Sequence, residues 1–173
     1  MAGAPAVTAA RGPLLGAGQV LAIPTSPRQR GLPDVGAGAE SLAALKVDAA
    51  AFLKAEKATG KAGEVVVIPV RRDGVDLVLL AGVGDGSPGA LRKAGAAIAR
   101  RAKSARSLAT TLAAGRDADG LRAVAEGIGL ATYGFSAGPD AKPPALRRAK
   151  LVVDDPSSAR TALRQAAAVV AAV

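Results

Sequence analysis

The residues best placed to do chemistry in this chain are the glycines of Gly82-Val83-Gly84-Asp85-Gly86 and the serine that follows, Ser87. They lie between an apolar run that reads as a strand and a Ser-Pro pair that opens a helix. Glycines let a backbone approach a phosphate closely, and the amino end of a helix attracts an anion. Gly82, Gly84, Gly86 and Ser87 therefore form a candidate phosphate loop. Its spacing is Gly-x-Gly-x-Gly and not the dinucleotide fingerprint, and Asp85 places a negative charge where the anion would sit. A tight strand-to-helix turn accounts for the same residues, and the sequence favours that plainer reading.

The other chemistry-bearing groups are carboxylates in pairs: Asp73 with Asp76, Asp117 with Asp119, and Asp154 with Asp155. Paired carboxylates can move protons or hold a hard cation. Each pair falls at an expected turn or helix start, where Asp serves as a cap. The chain has no His and no Cys. A zinc site draws mainly on those two residue types, and nucleophilic triads of the Ser-His-Asp or Cys-His kind need a His. No catalytic and no metal-ligating residue is assigned.

Charge bounds the partners. Lys and Arg number 23 against 14 acidic residues, a net charge of +9. Such a balance suits nucleic acid, but the basic residues are scattered. The aromatic residues, Phe52, Tyr133 and Phe135, offer no stacking platform among them. DNA binding is compatible with the charge and not established by it. The cluster Arg100, Arg101 and Lys103 falls in the last turn of an expected helix, where it complements the dipole. The longest apolar run, Ala166 to Val173, is well short of the ~18 residues that span a bilayer. Residues 1–18 lack the charged start and apolar run of a secretory signal. A soluble cytoplasmic protein with no membrane partner is expected.

These residues must be positioned by elements that the pattern also predicts. Residues 1–18, rich in Ala, Gly and Pro, read as a flexible arm. Gln19–Thr25 reads as a strand and Ser26–Gly38 as a loop. Glu40–Lys57 reads as one helix with Leu42, Leu45, Ala49, Phe52 and Leu53 on a single face. Glu64–Val70 and Asp76–Gly82 read as a hairpin across Arg71–Gly74. Ser87 and Pro88 start a helix that faces Leu91, Ala94 and Ile98 inward. Ser107–Ala113 reads as a strand. A helix capped by Asp117 or Asp119 follows, with Leu121, Val124, Ala125 and Ile128 on one face, and its end is anchored by Tyr133 and Phe135. After a loop at Ser136–Pro144 come a strand at Lys150–Asp154 and a helix from Ser157, capped at Asp155-Pro156. The alternation predicts an α/β domain of three layers with a mixed sheet flanked by helices. The last helix ends in AAAVVAAV without Gly, Lys or Arg, so the expectation is that helix and protein continue beyond Val173.

Several stretches, in order, resemble the N-terminal domain of the leucine aminopeptidase (cytosol aminopeptidase) family. They are Lys61–Glu64 before a strand, Leu77–Gly84 as an apolar strand ending in Gly-apolar-Gly, and Leu91–Ala97 as the following helix. Ala125–Ile128 running to Tyr133-Gly134-Phe135 and the final helix complete the series, over about residues 19–173. The resemblance implies a macro-like domain over 19–173 joined to a C-terminal catalytic domain, absent from this chain, that holds two divalent metals, zinc or manganese. It further implies a cytoplasmic hexamer that removes N-terminal residues from peptides, with this domain in an assembly role. No position here matches the family's catalytic or metal-binding motifs. Where relatives often carry Lys after Gly-apolar-Gly, this chain has Asp85. The alternative is a free-standing macro-like module that binds ADP-ribose or a nucleotide at Gly82–Ser87. A nucleic-acid-binding protein is the third reading.

Overall fold

The computed structural model describes residues 4–133 and 145–173, with Tyr133 described by its backbone only. Phe135, the side chain of Tyr133 and the loop reading at Ser136–Pro144 lie outside the described residues. The strands are β1 (Ala6–Ala10), β2 (Val20–Ser26), β3 (Asp34–Val35), β4 (Val65–Arg72), β5 (Val75–Gly82), β6 (Ser107–Thr110) and β7 (Arg148–Val152). The helices are α1 (Ala39–Ala44), α2 (Ala49–Ala55), α3 (Pro88–Arg101), α4 (Ala118–Tyr133) and α5 (Ala159–Ala171). The sheet runs β1-β7-β6-β2-β5-β4, with β3 paired to the end of β2. All neighbours are parallel except β4 against β5 and the short β3 against β2. The mixed three-layer arrangement and the β4–β5 hairpin match the expectation.

The period-two pattern of the central strands explains the layers. On β2, Val20 and Ala22 belong to the core under α3, α4 and α5, while Leu21 and Ile23 belong to the core under α1 and α2. On β5, Leu79 and Ala81 face the first core and Val78 and Leu80 the second. Strands buried on both faces read as continuous apolar runs, as these do.

Three expectations fail for physical reasons. Residues 6–10, read as part of a flexible arm, form the edge strand β1 in register with β7, and Leu14 beyond it is buried. The single helix over Glu40–Lys57 is two. Lys46 and Lys57 adopt left-handed φ of 54° and 52°. Behind them the amides of Val47 and Ala58 donate to Leu42 and Leu53 carbonyls at 2.9 Å each. Each helix thus closes in a Schellman turn whose left-handed residue is Lys and not the usual Gly. The break puts Asp48 at the α2 N-cap, accepting from the Ala51 amide at 3.1 Å, and leaves Phe52 36% exposed instead of on the inner face. Finally, α5 has Ser158 at its N-cap with no side-chain cap bond. Asp155 accepts from the Ser157 amide and hydroxyl in a turn that precedes the helix.

Helices α3 and α4 meet over glycines. A Cβ on Gly95 would stand 2.5 Å from the Val124 carbonyl oxygen, and one on Gly127 would overlap the Arg92 carbonyl. Beside this contact, Glu126 is clamped. Its carboxylate accepts from Arg92 Nε at 2.9 Å and Nη2 at 2.6 Å, and from Arg122 Nε at 2.7 Å. The Glu126 side chain is 3% exposed. Burial pushes its carboxyl up, but the hydrogen bonds from Arg122 and Arg92, with their charges, outweigh burial and hold it below its ordinary value.

Two outcomes are expected. Glu126→Gln keeps an acceptor but leaves two guanidinium groups without their charge partner, costing about 2 kcal/mol in urea unfolding. Because the folded carboxyl is lowered, its contribution is complete above the ordinary value of 4.5 and is lost as pH falls through the lowered folded value. The variant should therefore lose less stability than the parent over that acid range, and an unchanged acid profile would count against the clamp. For Gly127→Ala, helix propensity offers a gain of about 1 kcal/mol. Overlap with a backbone carbonyl costs about 1–3 kcal/mol, so net destabilisation is expected, and a raised Tm would contradict the close approach.

Candidate functional site

Strands β1, β7, β6, β2 and β5 run parallel, so their carboxyl ends share one edge of the sheet. Strand β2 lies between β5 and β6. In open α/β sheets that edge, near a reversal of strand order, is where ligands bind. The Gly82–Ser87 loop leaves β5 there. The loop from Thr111 to Arg116 leaves β6 there too, and the Arg116 guanidinium packs over Gly86. The structure thus sets the sequence's candidate loop at the expected edge.

The loop's own hydrogen bonds define what it can do. The Gly82 amide donates to the Glu64 carbonyl at 2.8 Å, Val83 to Thr25 at 2.9 Å, and Gly84 to Gly60 at 3.0 Å. Gly86 donates back to the Val83 carbonyl at 3.0 Å. The Ser87 amide donates to Asp85 Oδ1 at 3.0 Å. The Asp85 amide donates to its own carboxylate. The Ser87 hydroxyl caps α3 by accepting from the Ala90 amide at 3.3 Å. Hydrogen bonds from the Ser87 backbone and side chain hold the Asp85 carboxyl below its ordinary value. The carboxylate is ionised at neutral pH, so the amino end of α3 carries an anion of its own. A phosphate cradle needs free, convergent amides. Here they are engaged within the loop or with neighbouring chain.

The adjacent loop repeats the arrangement. Glu64 accepts from the Thr59 amide at 2.9 Å, from the Gly60 amide at 2.7 Å and from the Thr59 hydroxyl. Gly82 packs on this loop so tightly that a Cβ would overlap the Lys61 carbonyl oxygen. The need for glycine at position 82 is thus backbone-to-backbone packing.

The acidic pairs separate. Asp117 caps α4, accepting from the Gly120 amide at 2.8 Å, while Asp119 lies in the helix's first turn. The Asp154 carbonyl accepts from Arg11 Nε at 2.5 Å. Asp73 takes a left-handed φ of 54° in the hairpin turn, and Asp76 lies within β5, its amide donating to the Gln19 carbonyl at 2.8 Å. Among the described residues no three acidic side chains gather into a group that could hold a metal ion. Sequence reasoning did not single out Glu64, or Glu126 with its arginines. The i,i+4 spacing of Arg122 and Glu126 was a legible signal, whereas Arg92 and Glu64 come from other segments. Gly82→Ala is expected to lose about 3 kcal/mol or to fail to fold; a variant that melts with the parent would show that the loop has room to spare.

The cytosol aminopeptidase family's N-terminal domain matches residues 33–137. Among solved structures, a mutant of tomato leucine aminopeptidase is similar with a TM-score of 0.79 at 20% identity, over 99% of this chain and 37% of that one. The bottromycin maturation enzyme BotP is similar with a TM-score of 0.62 at 27% identity, over 90% of this chain and 31% of that one. A Trypanosoma brucei macrodomain solved with ADP-ribose has a TM-score of 0.59 at 16% identity, over 92% of this chain and 68% of its own. No curated protein matches the chain. The chain spans about a third of the length of the two enzymes. With more than half its residues inside the family match, it belongs to the cytosol aminopeptidase family, as that family's N-terminal domain.

Proposed function

We propose that this chain is the non-catalytic assembly and regulatory domain of a metal-dependent leucyl aminopeptidase. The observation that carries the reading is the family match, together with a solved leucine aminopeptidase that takes in 99% of this chain within 37% of its own. The chain corresponds to one domain of such an enzyme. Its principal partner is then the catalytic domain, where two divalent metals, zinc or manganese, would activate water against the peptide carbonyl. Assembly as a hexamer and a cytoplasmic location belong to the same reading. No helix among the described residues is long and apolar enough to cross a membrane.

A second reading has a specific observation in its favour, the likeness to a macrodomain solved with ADP-ribose. It would place ADP-ribose or a nucleotide at Gly82, Gly84, Gly86 and Ser87. The engaged amides and the ionised Asp85 weigh against it.

The purified chain is expected to release no product from leucine p-nitroanilide, with or without manganese or zinc. Metal-dependent release would overturn the non-catalytic reading. In the full-length protein, deletion of residues 1–173 is expected to lower the assembly below a hexamer in analytical ultracentrifugation; a hexamer that survives would remove the assembly role. Heat on titration with ADP-ribose, abolished by Gly84→Val, would move the second reading ahead of the first.

A further inference from the structure

The amino edge of the sheet holds a cavity of about 600 Å³. It lies on the sheet face opposite α3, α4 and α5. Helices α1 and α2 cover that face over β2, β5 and β4, through Leu21, Val66, Val78 and Leu80. Over β6 and β7 the cover includes the connection from β1 to β2, whose Leu14 packs with Val152 and Ala109. The cavity opens where this cover stops.

Its floor is set by register. Arg148 lies between Ala6 of β1 and Ser107 of β6, and Lys150 between Thr8 and Ala109. Two long cations thus stand about 7 Å apart along β7, flanked across the strands by short side chains that leave the space open. Neither is ion-paired among the described residues. One wall is Gly16-Ala17-Gly18. The Ala17 amide is spent on the Leu14 carbonyl at 3.0 Å, while those of Gly16 and Gly18 have no acceptor among the described residues. The Ser107 hydroxyl accepts from the Gln19 amide at 3.0 Å and keeps its own proton to donate. Asp73 of the hairpin turn closes the far side.

We propose that this cavity binds a small phosphorylated aliphatic or sugar molecule, its phosphate held by Arg148 and Lys150. The volume lies within the range of small-molecule sites. Two cations with unspent amide and hydroxyl donors suit a phosphate. The lining has no aromatic residue on which a base could stack, which favours a hydroxylated ligand body over a nucleotide. Asp73 accepts from a hydroxyl and repels a second anion. The site lies at the opposite edge of the sheet from Gly82–Ser87, and does not depend on the aminopeptidase reading.

The test is titration calorimetry of the chain with glucose 6-phosphate as probe, with glucose, inorganic phosphate and a short DNA duplex as comparisons. Binding of glucose 6-phosphate is expected, at least tenfold tighter than inorganic phosphate, with glucose silent. Arg148→Gln and Lys150→Gln should each weaken it about tenfold or more, with ligand-free melting unchanged for the exposed Arg148. If Lys150→Gln fails to fold, Thr8→Val serves as the second variant and should weaken binding several-fold. The proposal is overturned if the double variant binds as well as the parent. It is equally overturned if glucose 6-phosphate is silent or no tighter than inorganic phosphate. Preferred binding of the duplex, falling steeply with salt, would mark the edge as a nucleic-acid surface instead.

Discussion

The contact on which the rest of this domain depends is the approach of backbone to backbone where side chains are missing. Apolar residues make up half the chain and aromatic ones 2%, so few large rings are available to fill space between layers. Native packing density must still be reached. The chain reaches it by setting glycines against carbonyls: Gly95 and Gly127 between α3 and α4, and Gly82 on the Gly60–Lys61 turn. Alanines then complete the interface, with Ala94 and Ala123 buried beside Leu91, Ile98, Val124 and Ile128. Such a core has little slack, since a methyl group added at the crossing meets backbone and not a side chain that can rotate away.

The same tightness governs the electrostatics. Where helices or turns leave amides in need of an acceptor, the chain supplies its own carboxylates. Asp85 serves Ser87, Glu64 serves Thr59 and Gly60, and Asp117 serves Gly120. Glu126 does the converse for two arginines and joins α3 to α4. The structural acids are thereby committed near the carboxyl edge and between the helices. Part of the positive excess, Arg148 and Lys150, has no ion-pair partner among the described residues at the amino edge. A net charge of +9 is thus distributed unevenly between the two edges of the sheet.

The family relationship and the site geometry bear on different questions. The family match fixes what kind of domain this is. It does not give the domain a chemistry, because fold and ligand are separable. In this chain the carboxyl-edge loop turns the amides of Gly82, Val83, Gly84 and Gly86 onto backbone carbonyls and that of Ser87 onto the Asp85 carboxylate.

By itself the sequence determined the class of fold, because the evidence for it is local and periodic. The β-branched run of β4, the apolar run of β5, the Ser87-Pro88 start of α3 and the inward faces of α3 and α4 are each legible within a few residues. The absence of His and Cys was equally readable, as inventory. Tertiary structure alone decided the rest. Strand β1 exists because β7, about 140 residues later, offers it an edge, and an Ala-Val-Thr-Ala-Ala segment carries no sign of that partner. The break between α1 and α2 turns on Lys46 accepting a left-handed conformation that sequence reserves for Gly. Whether Gly82–Ser87 is a cradle or a turn depended on where its amides point, which spacing does not encode. The basic cavity is assembled from separate segments whose register only the folded sheet sets, since cross-strand neighbours are chosen by pairing and not by proximity along the chain.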